Sequence, residues 1–155
     1  MAAGFTVRNE LLPELRARLE AIALRELGGR DLVPALAIDA EVQLGDLDWS
    51  MLAMLSQLEP HGHGNPQPVF VSYGLEVKDM RTVGRDGQHL KLVVRDPWAS
   101  GPTARLVWDA IGFNLGYWAA ELPDRVDLAY NFESNEFNGD QRLQLNIKDL
   151  RPAGA

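Results

Sequence analysis

The sequence has no cysteine, which excludes disulfides and thiolate metal sites and suits a reducing compartment. No apolar run approaches the roughly 20 residues that a membrane-spanning helix needs. The first residues lack the basic and apolar regions of a secretory signal, so a cytoplasmic chain with no membrane partner is expected. Basic residues are scarce: 15 Lys and Arg face 22 Asp and Glu, for a net charge of -7. That balance argues against strong stand-alone binding to a polyanion. There is no Gly-Lys-Ser/Thr phosphate loop, no G-x-S-x-G nucleophile elbow, no D-H-H or H-x-D metal pattern, and no internal repeat. Nothing in the pattern is catalytic.

What is present is enough for one good core: 155 residues, 46% of them hydrophobic. The charge is uneven. Residues 1–60 hold 5 basic and 10 acidic side chains, whereas residues 69–113 hold 6 and 5, so the middle of the chain permits a polyanion site. "RNELLPELRARLEAIALRELGG" predicts a helix, with Asn9 as N-cap, Pro13 in the first turn and Gly28-Gly29 as the stop. Ala35 to Val42 alternates like a short strand. Asp46 or Asp48 then caps a second helix, "WSMLAMLSQLE", ending at Pro60.

Beyond "EPHGHGNPQPVF" the period changes from helical to two. Strands are predicted over "VFVSYGLEVKDMRTV", "HLKLVVRD", "TARLVWDAIGF", "RVDLAYNFESN" and "QRLQLNIKDL". About two turns of helix, "NLGYWAAEL", precede the fourth strand, and Asn138-Gly139 signals a hairpin before the fifth. Alternation predicts burial of Leu90, Leu92, Val94, Val126, Leu128, Leu143, Leu145 and Ile147. Three strands, a short helix and a two-strand hairpin is the element order of an OB-fold. The fold class is therefore α+β: an N-terminal helical segment followed by a five-stranded OB-fold β-barrel. The expected divisions are 1–34, a connecting strand, helix and Gly/Pro loop over 35–68, and the barrel over 69–152.

His61 and His63 in the Gly/Pro loop invite a metal reading, but only His89 could join them, and a zinc site needs three or four ligands on ordered backbone. They are expected to be solvent-exposed loop residues. The same glycines neither follow a strand nor open a helix, so they serve as punctuation. Asp39, Glu41, Asp46 and Asp48 are expected to cap a helix and coat a surface. Lys78, Arg81, Arg85, His89, Lys91 and Arg95 lie on or beside the first two barrel strands. OB-folds bind single strands with cations for phosphates and aromatics for bases, and Tyr73, Trp98 and Phe137 could supply flat surfaces. An ordinary solvated strand face is the competing reading. Trp108, Phe113 and Trp118 are expected in the core or plugging the barrel.

The segment "LEPHGHGNPQPVF" resembles the L-x-P-[FY]-G-x-G-N-x-x-P-x-F segment of the RecJ single-strand-specific exonucleases, with His61 where an aromatic residue is commoner. The likeness continues through "VGRDGQHLKLVVRD", "IGFNLG", "ELPDRVDLAYNFESNEFNG" and "LQLNIKDLRP". "AAGFTV", from Ala2, resembles the end of the G-G-H-x-x-A-A-G motif of the DHH-associated domain. This resemblance implies that residues 1–34 are the end of a DHH-associated domain. It also implies that the barrel grips single-stranded DNA for a 5′→3′ exonuclease whose Mn2+ or Mg2+ is held in a DHH domain absent from this chain. No cofactor is then expected here, and the chain alone should be inactive. The implied partners are single-stranded DNA, the parent exonuclease's catalytic domains and other DNA-repair proteins. The alternative is an OB-type docking module with little direct DNA contact.

Overall fold

The structure, a computed structural model, describes residues 4–28, 33–137 and 139–154, without the Phe137 side chain. Ala2, Gly29 and Asn138, to which the sequence assigned roles, lie outside the described residues. The chain divides into two compact units, Met1–Leu36 and Ala37–Ala155.

In the first unit, a 3-10 turn over Asn9–Leu11 leads into helix α1, Leu12–Leu27. Pro13 sits in the first helical turn, where a missing N–H costs little. Asn9 opens the 3-10 turn and its side chain caps nothing. The helix closes with the Gly28 N–H donating to Leu24 O, and Glu14 pairs with Arg18 one turn along.

The second unit contains strand β1 (Ala40–Glu41), helix α2 (Trp49–Leu55) and strands β2 (Phe70–Val83), β3 (His89–Arg95), β4 (Trp108–Gly112), β5 (Arg125–Phe137) and β6 (Asp140–Pro152). The sheet order is β1-β2-β3-β4-β6-β5, and β2 also pairs with β5, which closes the barrel. β2 achieves this by changing partners along its length. Phe70–Glu76 pairs with β5 and Glu76–Val83 with β3, with register shifts at Ser72/Leu75 and Val77/Asp79. Such bulges bend a strand enough to turn a barrel corner.

The five expected strands are joined by a sixth, β1, laid parallel to Phe70 and Val71. Only two residues of the 35–42 segment form it, held by Asp39 N–H to Val69 O and Val42 N–H to Val71 O. The residues after β1 enter the barrel core, where Leu44 and Leu47 are buried. Asp48, not Asp46, caps α2, accepting from Met51 N–H at 2.8 Å. The loop that follows is closed by Asn65, whose side-chain amide donates to Leu58 O (2.7 Å) and Pro60 O (3.2 Å). His61 is half-buried, not solvent-exposed: it lines a small pocket with Leu52, Phe70 and Phe132 because the loop folds back over the barrel end.

Alternation fills the interior as expected: Leu90, Leu92, Val94, Val126, Leu128, Tyr130 and Leu145 are fully buried, and Ile147 nearly so. Leu143 is only half-buried, packed against the core from the barrel's end. After Ile147 the inward phase moves to Leu150, because Tyr130 pairs with Ile147 but Ala129 with Asp149, leaving Lys148 as the bulge. Trp108 is buried against Phe132, their rings edge to face at 5.7 Å. Trp118 is half-buried, but Phe113 is exposed. Alternation explains it: Trp108, Ala110 and Gly112 face inward, so residue 113 faces out.

Two elements are tighter or shorter than expected. Gly101–Arg105 is a 3-10 turn, so β4 starts at Trp108. The predicted helix after β4 is a five-residue 3-10 turn, Gly116–Ala120, docked on the β2–β3 turn by Gly116 N–H to Gln88 O. A Cβ on Gly116 would lie 2.0 Å from Gly87 O and 2.9 Å from Gln88 C, both backbone. Gly116→Ala should therefore cost about 1–3 kcal/mol, the usual scale of overpacking, read as a lower denaturation midpoint. A midpoint equal to the parent's would mean that this contact gives way without cost.

Candidate nucleic-acid interface

Lys91, on the outward face of β3, lines a groove of about 470 Å³ with Arg81, Asp109, Asn135, Asp140, Arg142, Leu143 and Gln144. Arg81 and Lys91 are directly paired across the β2–β3 ladder, and Lys91 is paired with Ile111 on β4. Like charges opposite each other on one sheet face destabilise it. Among the described residues neither cation has an ion-pair partner. Asp140 approaches Arg142 at 3.8 Å, a loose and exposed pair. Asn135, paired with Arg142, and Gln144, paired with Glu133, add hydrogen-bonding groups. The groove thus gathers three cations, Arg81, Lys91 and Arg142, with two carboxylates, Asp109 and Asp140, and neutral amides, a balance that leaves cations in excess for phosphate.

The other expected site residues are placed differently. Lys78 donates to Glu76 at 3.0 Å, and Arg95 reaches the same carboxylate through Nε at 3.1 Å and through its guanidinium NH2. These contacts, Lys78 first, hold the Glu76 carboxyl below the ordinary range. The clamp is thus present at neutral pH, since a depressed carboxylate loses its partners only as pH falls through its lowered value. Arg85 is exposed in the β2–β3 turn. His89, half-buried, accepts from Asn114 N–H at Nδ1 (3.1 Å) and meets the Phe113 ring at 5.1 Å. The Phe137 side chain lies outside the described residues.

Tyr73 is not in the cation groove. It lines a separate cleft of about 270 Å³ with Trp98, Glu41, Asp96 and the backbone-linked Ser72. Trp98 is 72% exposed there, with Arg125 over its ring at 5.3 Å. β2 turns its corner between Tyr73 and Arg81, at Gly74 (φ 64), whose N–H donates to the buried carboxylate of Asp127. Ser72 donates to Val42 O (2.6 Å) and bonds the Tyr130 hydroxyl (2.8 Å). Burial pushes that phenol up to about 12, so it stays protonated and structural.

Among the described residues no three His, Asp or Glu side chains converge as metal ligands. The family resemblance implies manganese or magnesium in a DHH domain, and the described residues of this chain offer no fitting donor set. Sequence reasoning missed Asn135, Arg142 and Gln144, which only the β5–β6 hairpin and the parallel β4–β6 pairing bring to the groove.

Residues 38–149 match the family model of the RecJ OB domain. Over 151 residues the chain is 30% identical to the single-stranded-DNA-specific exonuclease RecJ of Bacillus subtilis, covering 96% of this chain and 18% of that protein. It is 30% identical over 154 residues to the enzyme of that description from Dickeya dadantii, covering 98% and 25%. The crystal structure of RecJ in complex with Mn2+ from Thermus thermophilus is similar, with a TM-score of 0.70 and 28% identity. That match covers 98% of this chain and 21% of the other. The chain thus spans a quarter or less of the length of these relatives.

Proposed function

The chain belongs to the RecJ OB domain family, and on that premise we propose that its barrel binds single-stranded DNA through the Arg81–Lys91 groove. In this reading the barrel holds substrate for a RecJ-like 5′→3′ exonuclease whose catalytic domains are its partners, working in the cytoplasm on DNA repair and recombination. Residues 1–34 would then belong to the end of a DHH-associated domain and residues 69–152 to the OB domain. The observation that carries the reading is the cross-strand Arg81–Lys91 pair, two cations without ion-pair partners among the described residues. A phosphate between them would turn a repulsion into two charge-assisted contacts.

The test is titration of a fluorescent oligothymidylate with the chain at two salt concentrations. Binding should weaken steeply as salt rises, because phosphate contacts release condensed counterions. Absent or salt-independent binding would overturn the reading. With Mn2+ or Mg2+ added, the chain should release no nucleotides from the oligonucleotide, since hydrolysis is assigned to the metal-bearing domain.

Glu76 bears on the same surface. It neutralises Lys78 and Arg95, which the sequence also assigned to DNA. Glu76→Gln should free both for phosphate, raising affinity severalfold at low salt and steepening the salt dependence. An unchanged salt slope would place Lys78 and Arg95 off the DNA path.

A docking module is the second reading, favoured by the Tyr73–Trp98 cleft. Its exposed aromatics sit beside the carboxylates of Glu41 and Asp96, which would repel phosphate. A partner protein fits that cleft better than a DNA strand does.

A further inference from the structure

We infer that Phe113, braced by His89, is the surface on which the groove stacks a nucleobase. This rests on the single-strand reading above and names a residue expected in the core. Leu90 pairs with Gly112, the last residue of β4; Phe113 follows it directly and its ring meets His89, which pairs with Val83 on β2. Val83, His89 and Phe113 therefore form an apolar and aromatic row across β2, β3 and the residue that follows β4. The neighbouring row is Arg81, Lys91 and Ile111. Two residues along a strand separate the rows by about 7 Å, a distance that a single nucleotide spans from phosphate to base. A cationic row beside an aromatic row thus mirrors the two halves of a nucleotide.

The brace is built, not incidental. Phe113 is 54% exposed, yet one side of its ring meets the His89 ring edge to face, at 5.1 Å and 74°. His89 is itself fixed on three sides. Its Nδ1 accepts from Asn114 N–H, and Gln88 lies 3.2 Å from its Nε2. It also packs against Gly84, where a Cβ would lie 2.8 Å from its Cδ2. Gly84 and Asn114 hold left-handed backbone, φ 85 and 60, which glycine and asparagine tolerate best. In this geometry His89 supports an aromatic neighbour and is not one of the phosphate-binding cations. A pre-set aromatic face loses little freedom on binding a base, and every base has a face to offer it.

The experiment compares the full chain with Phe113→Leu, which keeps apolar bulk but removes the π face, and with Phe113→Trp. Each is titrated with an oligothymidylate and with an abasic oligonucleotide of the same length. Phe113→Leu should weaken oligothymidylate binding about tenfold, the scale of one stacked base, and leave its salt dependence unchanged. Phe113→Trp should bind at least as tightly as the parent. On the abasic strand all three should bind alike, a coupling between base and ring that a merely structural role would not produce. Equal losses on both strands, or no loss on either, would overturn the inference while leaving the groove reading intact. If the parent binds neither strand, both fall together.

Discussion

Leu145→Ala is expected to lower stability by about 2–5 kcal/mol, the range for deleting a fully buried leucine side chain. Leu145 is 0% exposed and sits where two ladders meet, paired with Phe132 on β5 and with Ala110 on the parallel strand β4. Its small partner Ala110 cannot expand to fill the space, so a cavity remains. Leu92→Ala should cost a similar amount, since Leu92 is equally buried and faces the same Ala110 from β3. Because the two leucines flank one residue, the double variant should be non-additive. Leu143→Ala, half-buried at the barrel's end, should cost clearly less. Urea unfolding with an unchanged slope and shifted midpoint is the readout. A cost below about 1 kcal/mol for Leu145→Ala would mean that the barrel collapses around the gap.

The parts of this fold that were legible in the sequence are those governed by one strand's own period. β3 is the clearest case: Leu90, Leu92 and Val94 alternate with His89, Lys91, Val93 and Arg95, and each of the three is fully buried. The misplacements have separable causes. Aromatic character puts Phe113 in the core or plugging the barrel, although the phase set by Trp108 and Ala110 points it outward. The inward position of Leu150 depends on a bulge at Lys148 that no local pattern announces. β1 is two residues long and exists because Phe70 and Val71 offer it an edge. The 3-10 turn at Gly116 replaces a helix because the chain must drop onto Gln88 and reach β5 in a few residues.

The groove was half legible for the same reason. Arg81 and Lys91 stand on one hairpin, each two residues from the strand end that meets the short turn, so their proximity follows from local register. Arg142, Asn135 and Gln144 reach them only through barrel closure, a nonlocal event. From the sequence Tyr73 reads as a flat surface for a base beside the cations, but β2 turns a corner at Gly74 and delivers it to the other cleft. Net charge could not reveal that Lys78 and Arg95 share one carboxylate.

Arg81→Ala combined with Lys91→Ala should separate binding from stability. If each cation contacts one phosphate, the logarithmic salt slope for a single strand should fall by about 1.4, roughly 0.7 per contact. Affinity at low salt should fall with it, and the difference from the parent should shrink as salt rises. Stability should move the other way or not at all, because the substitution removes two like charges that face each other across the β2–β3 ladder. Opposite signs would mark a surface kept for a ligand, since neither cation has an ion-pair partner among the described residues. Oligonucleotide titrations at two salt concentrations and urea unfolding of the same preparation give both quantities. An unchanged slope with unchanged affinity would remove DNA from this face and transfer the argument to the Tyr73–Trp98 cleft and a protein partner.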